Sequence, residues 1–257
     1  MPFPAKADER RHPPADDAAW CESFSFEFFS GDGVGGYVTV TLFPNLGRSW
    51  YWAYLVGDGG DGPVAVIDDD VPVPRSPRSL ELRTEGLWAE HTCETPLDHW
   101  TVGNEASAVR FDDPDEAYGR MRGDLIPLGF DLEWETDGPI QTPPDGLGYA
   151  VPCRVHGDVL VGAERLAIAG FGWRDHAWGG VDWASTGRVA GRLDDGPWIL
   201  GDPGDVDIEP RRRAPVLVHP PGGDPIRLER SLGRVTAFGD DDATGWAWLT
   251  APAAEVS

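Results

Sequence analysis

The stretch GFGWRDHAWGGVDW, from Gly170 to Trp183, carries the pattern on which the fold assignment depends. In an extended strand, successive side chains point to opposite faces of the sheet, so Arg174, His176 and Trp178 share one face. Asp175 then lies on the other face. Burying a cation and a titratable imidazole is costly unless they have partners. The stretch therefore predicts a half-buried strand with a functional role.

The same period-two alternation continues on both sides of this stretch. SFSFEFF (23–29) alternates Phe with Ser and Glu, and GYVTVTLF (36–43) alternates Val and Leu with Thr. The 33 Gly and 24 Pro of the 257 residues favour many turns and short strands over long helices. We therefore predict an all-β fold, built from two packed sheets or barrels of antiparallel strands.

Composition and turn residues suggest a division of the chain. Residues 1–18 are polar and rich in Pro, and we expect a flexible arm there. Residues 112–123 are the best candidate for a short helix or loop. Residues 137–148 (DGPIQTPPDGLG) are the richest in turn residues, and we take them as the connection between two halves. The expected domains are residues 19–140 and residues 141–257, the second carrying the RDHAW motif.

Charge and cysteine content limit the partners and the compartment. The net charge of −23, with Lys6 as the one lysine, repels phosphate backbones and anionic membranes, so nucleic-acid and membrane-surface roles are not expected. No segment approaches the length of a membrane span, and no apolar run follows the N-terminus, so we expect no signal peptide and a cytoplasmic protein. Cys21, Cys93 and Cys153 are odd in number and far apart, as expected for free thiols in a reducing compartment. A homo-oligomer is left open.

Two glycine-rich stretches partly match the sequence patterns of ligand-binding loops. GDGVGG (31–36) fits G-x-G-x-x-G, but a strand pattern follows it instead of a helix, so we interpret it as a hairpin turn. GDGGDGP (57–63) lacks the spacing of a calcium loop and is interpreted in the same way. The six histidines form no HxH or HExxH pattern, and there is no GxSxG elbow. We expect neither a metal nor an organic cofactor.

Carboxylates alternate with apolar residues in DLEWE, where Asp131, Glu133 and Glu135 share one face and Leu132 and Trp134 share the other. Two interpretations stay open. The carboxylates could form a solvated strand face. Alternatively, one of them could point into a cavity, where burial raises the pKa of a carboxyl and keeps its proton at neutral pH.

Paired aromatic residues also allow two interpretations. Trp50 and Trp52, with Tyr54 on the same face, and Trp246 and Trp248 each alternate along a strand pattern. Such side chains commonly fill a core. They could instead line a pocket for a flat or polyene-like ligand and stabilise developing positive charge.

The segment around RDHAW resembles a motif of a known superfamily. GFGWRDHAWG is similar to the G-x-G-x-R-D-H-S-W-G motif of lipocalin-like proteins that include AttH-like proteins and carotenoid 1,2-hydratases, with fungal prenyl hydratases and decalin-forming Diels–Alderases as relatives. WCESFSFEFF, GGYVTVTLFPN, LGFDLEWE and YAVPCRVHG support the resemblance, which covers most of residues 20–250. It implies two lipocalin-like antiparallel β-barrel or sandwich halves with a ligand cavity at or near their junction.

The resemblance also implies catalytic residues. In the hydratase branch the histidine and tryptophan of the motif act in catalysis, and they correspond here to His176 and Trp178. That branch also uses a downstream Tyr-x-Asp pair, whereas this chain has Trp198, Asp202 and Asp205 in the region and no tyrosine. At this acid the chain departs from the hydratase branch.

The expected function is that of a cofactor-independent enzyme acting on a small apolar isoprenoid, terpenoid or polyketide. Acid-assisted hydration or cyclisation of an alkene needs a proton donor, for which Asp175, Asp202 or Asp131 is the candidate, assisted by His176 and Trp178. The side chains expected to bind the substrate are Arg174, Trp183, Trp50, Trp52, Tyr54, Glu133, Tyr149, Trp246 and Trp248. Two alternatives stay open: a Diels–Alderase-type pericyclase of natural-product biosynthesis that folds a polyene into a reactive shape, and a non-enzymatic lipid or terpenoid carrier.

Overall fold

The computed structural model describes residues 3–76, 78–181, 183, 187–237 and 240–253. Over these residues the chain is all-β, which confirms the predicted fold class. Within the same residues, no helix is long and apolar enough to cross a membrane.

Antiparallel strands make up most of the described chain. Their bounds are β1 (Cys21–Phe29), β2 (Gly35–Phe43), β3 (Arg48–Val56), β4 (Val64–Pro72), β5 (Leu80–Thr84), β6 (Leu87–Thr95), β7 (His99–Phe111), β8 (Gly123–Thr136), β9 (Gly148–Val161), β10 (Glu164–Gly179), β11 (Arg188–Leu193), β12 (Trp198–Gly201), β13 (Asp207–Arg213), β14 (Val216–Val218), β15 (Ile226–Ala237) and β16 (Asp240–Pro252). Short 3-10 helices occupy Lys6–Glu9, Pro44–Leu46 and Pro114–Tyr118, the last inside the segment where a short helix or loop was predicted.

The larger sheet closes on itself. Its strand order is β4-β3-β2-β1-β10-β9-β8-β7-β6-β5, and β4 also pairs with β7. Those additional pairs join Val64 to Arg110 and Ala65 to Val109. Strands β1 to β4 and β7 to β10 therefore form a closed ring, called the ring below, while β5 and β6 extend from β7. Closure leaves few unpaired strand edges on this part of the protein.

The smaller sheet packs against the outside of the ring. Its order is β12-β11-β16-β15-β13, with β14 paired to β15. The chain leaves the ring at Gly179 and enters the smaller sheet at Arg188. The segment 137–148 instead joins β8 to β9, which are neighbours within the ring. The chain therefore passes from the larger to the smaller sheet after Gly179 and not at the expected boundary near residue 140. The strand that carries RDHAW belongs to the ring. The division into two domains stays a prediction.

Strands β1, β2, β3 and β10 are covered on both faces. Phe24, Phe26 and Phe28 of β1 point into the ring and pack with its interior. On β2 and β3, residues such as Tyr37 and Trp50 point outward into a second core shared with the smaller sheet. This double burial explains why every residue of β2 is buried.

Both glycine-rich stretches lie in turns between antiparallel strands. Residues 30–34 connect β1 to β2, and Gly35 and Gly36 begin β2. In this turn the Ser30 amide donates to the Val34 carbonyl at 2.8 Å, and Gly33 has a φ of 83°. Residues 57–63 connect β3 to β4. The hairpin interpretation of each stretch is confirmed, and the positive φ of Gly33 accounts for a glycine at that position.

Candidate functional site

Strand β10 presents its two sets of side chains to two separate environments. Arg174, His176 and Trp178 face the interior of the ring, as the alternation predicts. Asp175 and Ala177 face the smaller sheet across a cavity. Because the backbone of the sheet lies between these two sets, Asp175 and His176 cannot line the same pocket.

The cavity on the Asp175 side lies between the ring and the smaller sheet and is called the junction cavity. It has a volume of about 320 Å³. Its walls include the indoles of Trp52 and Trp183 and the aliphatic side chains of Val216 and Leu228. An apolar hollow of this size with a few polar groups is typical of small-molecule sites.

A series of alternating negative and positive side chains lies along the wall of the junction cavity. Nη2 of Arg188 donates to both carboxylate oxygens of Asp175, at 2.9 and 2.8 Å, and its Nη1 donates to Oε2 of Glu27 at 3.0 Å. The other oxygen of Glu27 accepts from Arg230. Glu27 is almost fully buried and accepts from both arginines, so its charge is balanced at a place that water does not screen.

Two carboxylates, Glu27 and Asp175, line the junction cavity, and the more exposed of them is Asp175. Burial raises its pKa from 3.8 to about 6, and the Arg188 guanidinium opposes that rise without cancelling it. Its side chain is 24 % exposed, which leaves the carboxyl accessible from the cavity. The carboxyl can therefore carry a proton close to neutral pH.

Hydroxyl groups line the neighbouring wall of the junction cavity. The Ser25 and Thr39 hydroxyls lie 3.0 Å apart across β1 and β2, and those of Ser23 and Thr41 lie 3.1 Å apart. Ser23, Ser25 and Thr39 line the cavity. A hydroxyl both donates and accepts, so this wall offers a place to orient a water molecule or a polar group of a ligand.

The indoles at the cavity are held in place from behind. Nε1 of Trp52 donates to Oδ1 of Asp69 at 2.9 Å. Trp50 stacks on Trp52 with 5.4 Å between ring centroids and lies 5.5 Å from Trp183. Trp50 is 1 % exposed and thus supports the cavity wall without forming it.

On the opposite face of β10, His176 lies in a packed cluster at the mouth of the ring. Its Nε2 is 2.9 Å from Oε1 of Glu22, and its Nδ1 is 3.2 Å from the Tyr149 hydroxyl. Its ring stacks on Phe24 at 3.9 Å and meets Trp178 edge-on at 5.1 Å. Burial lowers the pKa of His176, so its neutral form is favoured.

The N-terminal arm closes this mouth. Glu9 is buried and pairs with the Arg174 guanidinium, with 2.8 Å between Oε1 and Nη2. Its other oxygen accepts from Nε1 of Trp100 at 2.7 Å. The ring of His12 stacks on Trp178 with 3.7 Å between centroids. Glu9 and His12, in the segment expected to be a flexible arm, therefore pack against the mouth of the ring.

A second cavity lies beside this arm. It has a volume of about 420 Å³, and Arg10, Phe24, His91 and Trp100 contribute to its lining. As far as the described residues go, neither this cavity nor the junction cavity is lined by His176 or Trp178. The open apolar hollow expected beside these two rings is not found at either cavity, and their catalytic role stays a prediction.

Three carboxylates named as candidates lie elsewhere. Asp202 is exposed in a turn after β12, where its amide donates to Asp205. Asp131 is also exposed, and Glu133 is partly exposed and pairs with His99 at 3.0 Å. The exposure of Asp131 and the partial exposure of Glu133 fit the solvated-face interpretation for this part of β8.

The other aromatic candidates join the two sheets. The Tyr54 hydroxyl donates to the Pro215 carbonyl, and Nε1 of Trp248 donates to the Phe28 carbonyl at 2.9 Å. Nε1 of Trp246 donates to the carbonyl of Gly31 at 3.2 Å. These side chains fill the space between the two sheets, and each of their polar atoms has a hydrogen-bond partner.

Three charged residues of the junction cavity were not singled out from the sequence. Glu27 carried a signal, because it alternates with phenylalanines and shares its face with Ser25. Arg188 and Arg230 carried none, since they come from strands β11 and β15 of the other sheet and their pairing with Glu27 depends on how the sheets pack.

The fold and the cavity together define a class of two-sheet β proteins with a ligand-sized cavity at the junction. The chain belongs to the family described as a domain of unknown function, DUF7064, which it matches over residues 5–201. No curated protein matches its sequence.

Two solved structures are similar to this chain. A candidate AttH protein from Nitrosomonas europaea has 12 % sequence identity and a TM-score of 0.56, with 97 % of this chain and 96 % of that chain covered. Kievitone hydratase from Nectria haematococca has 10 % identity and a TM-score of 0.46, with 90 % of this chain and 87 % of that chain covered. The AttH likeness confirms the fold expected from the resemblance to AttH-like, lipocalin-like proteins.

Proposed function

We propose that this protein binds a small apolar alkene, of isoprenoid or polyene type, in the junction cavity and transfers a proton to it from Asp175. Hydration or cyclisation of the alkene follows. The observation that carries the proposal is a carboxyl with its pKa raised to about 6 on the wall of a cavity that two indoles also line. Neutral carboxylic acids of this kind are the proton donors that alkene chemistry requires.

The volume of the cavity limits the substrate. At about 30 Å³ for each water-sized group, 320 Å³ holds on the order of ten such groups. A single prenyl or geranyl unit fits these limits, and a longer polyene would extend out of the cavity. A bound apolar molecule also displaces water from Asp175, and this further desolvation favours its protonated form.

Asp175 acts first as acid and then as base. The carboxyl proton adds to one alkene carbon and leaves a carbocation at the other. In hydration, a water oriented by Ser25 and Thr39 forms the new C–O bond and returns its extra proton to the Asp175 carboxylate. In cyclisation, a second alkene of the substrate forms the new C–C bond, and loss of a proton to Asp175 completes the step.

The surroundings of the cation decide whether it forms. The faces of Trp52 and Trp183 stabilise a nearby cation by about 0.5 to 2 kcal/mol each. Arg188 and Arg230 oppose it, but each is already paired with a carboxylate. The Asp175 carboxylate left by proton transfer lies beside the cation and stabilises it by direct attraction.

A binding protein without chemistry is the second candidate. Arg188 donates to both oxygens of Asp175, which stabilises the carboxylate and withholds the proton. In that case the cavity holds an apolar ligand unchanged.

The test combines ligand binding with isotope incorporation. Geraniol and related monoterpene alkenes are titrated against the tryptophan fluorescence of the protein, and products formed in ¹⁸O-labelled water and in D₂O are analysed by mass spectrometry. Asp175→Asn should bind with little change and lose turnover. Asp202→Asn, which alters an exposed aspartate away from the cavity, is the matched control and should retain both.

The outcomes separate the alternatives. Binding by the wild type without incorporation of either isotope establishes the carrier function and removes the enzyme proposal. Turnover that survives in Asp175→Asn but is lost in a folded His176→Ala variant moves the chemistry to the mouth of the ring. Binding that is unaffected by Trp183→Ala and Trp52→Ala removes the junction cavity as the site.

A further inference from the structure

Three metal-ligating side chains converge where the arm meets the ring. His12 comes from the arm, Glu22 from β1 and His176 from β10, and their ligand atoms lie within 4.8 Å of one another. Oε1 of Glu22 is 2.8 Å from Nδ1 of His12 and 2.9 Å from Nε2 of His176. We propose that these residues bind a divalent transition-metal ion that fastens the arm over the mouth of the ring.

The donor set suits such an ion. Two imidazoles and one carboxylate form a common protein site for Zn²⁺ and its neighbours in the first transition row, whereas Ca²⁺ and Mg²⁺ prefer oxygen ligands throughout. With metal–ligand bonds of about 2.0 to 2.1 Å, separations of 2.8 to 2.9 Å between donor atoms correspond to angles near 90°. A tetrahedral ion needs them about 0.5 Å farther apart. For the pair of His12 and Glu22, the arm can make that shift without moving a strand. Glu22 and His176 lie on the paired strands β1 and β10, so their separation can widen only through rotation of a side chain.

An unpartnered carboxylate oxygen supports a cation site at this position. Glu22 is 1 % exposed, and its Oε2 has no hydrogen-bond partner among the described residues. A buried carboxylate oxygen without a partner is destabilising, because desolvation is not offset by a hydrogen bond. A metal ion bound by Glu22 would compensate this charge at the same place.

The outer nitrogens of both imidazoles face oxygen atoms. Nδ1 of His176 is 3.2 Å from the Tyr149 hydroxyl, and Nε2 of His12 is 3.8 Å from a carboxylate oxygen of Asp8. Metal-bound histidines characteristically have an oxygen partner on the nitrogen that does not bind the metal, which fixes the ring and its tautomer. The Tyr149 hydroxyl thus turns the remaining nitrogen of His176 toward Glu22, whereas the 3.8 Å between His12 and Asp8 is an ion-pair distance that is too long for a hydrogen bond.

The competing account is a hydrogen-bond network in which each imidazole donates an N–H to Oε1 of Glu22, beside the backbone N–H of His12, which donates to the same oxygen at 2.8 Å. That network needs no metal and gives the protein no selective affinity for one. Metal affinity at this position therefore discriminates between the two accounts.

The experiment uses the full, untagged chain stripped of metal by dialysis against a chelator. Zn²⁺ is titrated in competition with a chromophoric chelator, and Co²⁺ is added separately to record its visible absorption. The wild type should bind one tight equivalent. His12→Ala and Glu22→Gln should weaken binding by at least about 100-fold, which is the upper end of the loss caused by removing an outer partner.

Two controls locate the site. His219→Ala alters an exposed histidine outside both clusters of metal-ligating residues and should leave the affinity unchanged. His156→Ala disrupts the second cluster, formed with Glu133 and Glu135 on the surface, and should also leave the tight equivalent unchanged. His12→Ala keeps the test valid even if Glu22→Gln does not fold, because His12 belongs to no strand.

Proteolysis tests whether the metal fastens the arm. Trypsin cleaves after Arg10 and Arg11, next to His12, and Zn²⁺ should slow that cleavage several-fold in the wild type but not in His12→Ala. The proposal is overturned if the wild type binds no tight equivalent, if His12→Ala and Glu22→Gln retain it, or if His156→Ala abolishes it. Tight binding without protection of the arm overturns the fastening role.

Discussion

Replacing Asp175 by asparagine decides which of two opposing effects controls the junction cavity. Burial disfavours the ionised carboxyl, whereas the two hydrogen bonds from Arg188 favour it. Asparagine has nearly the same shape as the protonated acid but cannot ionise. The difference in unfolding free energy between Asp175→Asn and the wild type therefore reports the cost of ionising Asp175 in the folded protein.

The magnitude follows from the raised pKa. The carboxyl titrates near 3.8 in the unfolded chain and near 6 in the fold, so the folded state keeps its proton to higher pH. The stability associated with that proton is fully present below about pH 4 and is lost as the pH rises through 6. At 1.36 kcal/mol per pH unit, the loss for Asp175 is about 3 kcal/mol.

The assay is urea unfolding of both proteins between pH 4 and pH 8, followed by tryptophan fluorescence. Asp175→Asn should be as stable as the wild type at pH 4 and more stable by up to about 3 kcal/mol at pH 8, because only the wild type ionises a partly buried carboxyl there. Asp202→Asn, at an exposed site, should show no such trend. A variant that instead loses stability relative to the wild type as the pH rises would show that Arg188 outweighs burial, which would refute the argument for Asp175 as a neutral acid.

Two further predictions concern the arm and the thiols. Glu9→Gln leaves the buried guanidinium of Arg174 without its carboxylate and should lower the unfolding free energy by about 3 to 5 kcal/mol. Adding Arg174→Met to this variant should recover most of the lost stability. Additive losses in the double-mutant cycle would show that Glu9 and Arg174 do not interact. Burial raises the pKa of Cys21 to about 11 and of Cys93 and Cys153 to about 12, so iodoacetamide at pH 8 should label them much faster in urea than in the folded protein, and equal rates would contradict their burial.

The sequence by itself determined the fold class and the faces of the key strand. Alternation in GFGWRDHAWG separated His176 from Asp175, because the direction of a side chain in a strand depends only on its position along that strand. Turn residues likewise marked the hairpin at residues 31–36, since a positive φ is a local property of the backbone.

The tertiary structure alone decided which of these faces has a cavity and which groups meet there. Arg188 reaches Glu27 across 161 positions of sequence, and His12, Glu22 and His176 meet from three separate segments. The periodic pattern of a sequence does not predict contacts between such remote residues, because these contacts depend on how the smaller sheet packs on the ring and where the arm folds back. The pKa of Asp175 depends on the same packing, since burial and charged partners exist only once remote strands surround the carboxyl.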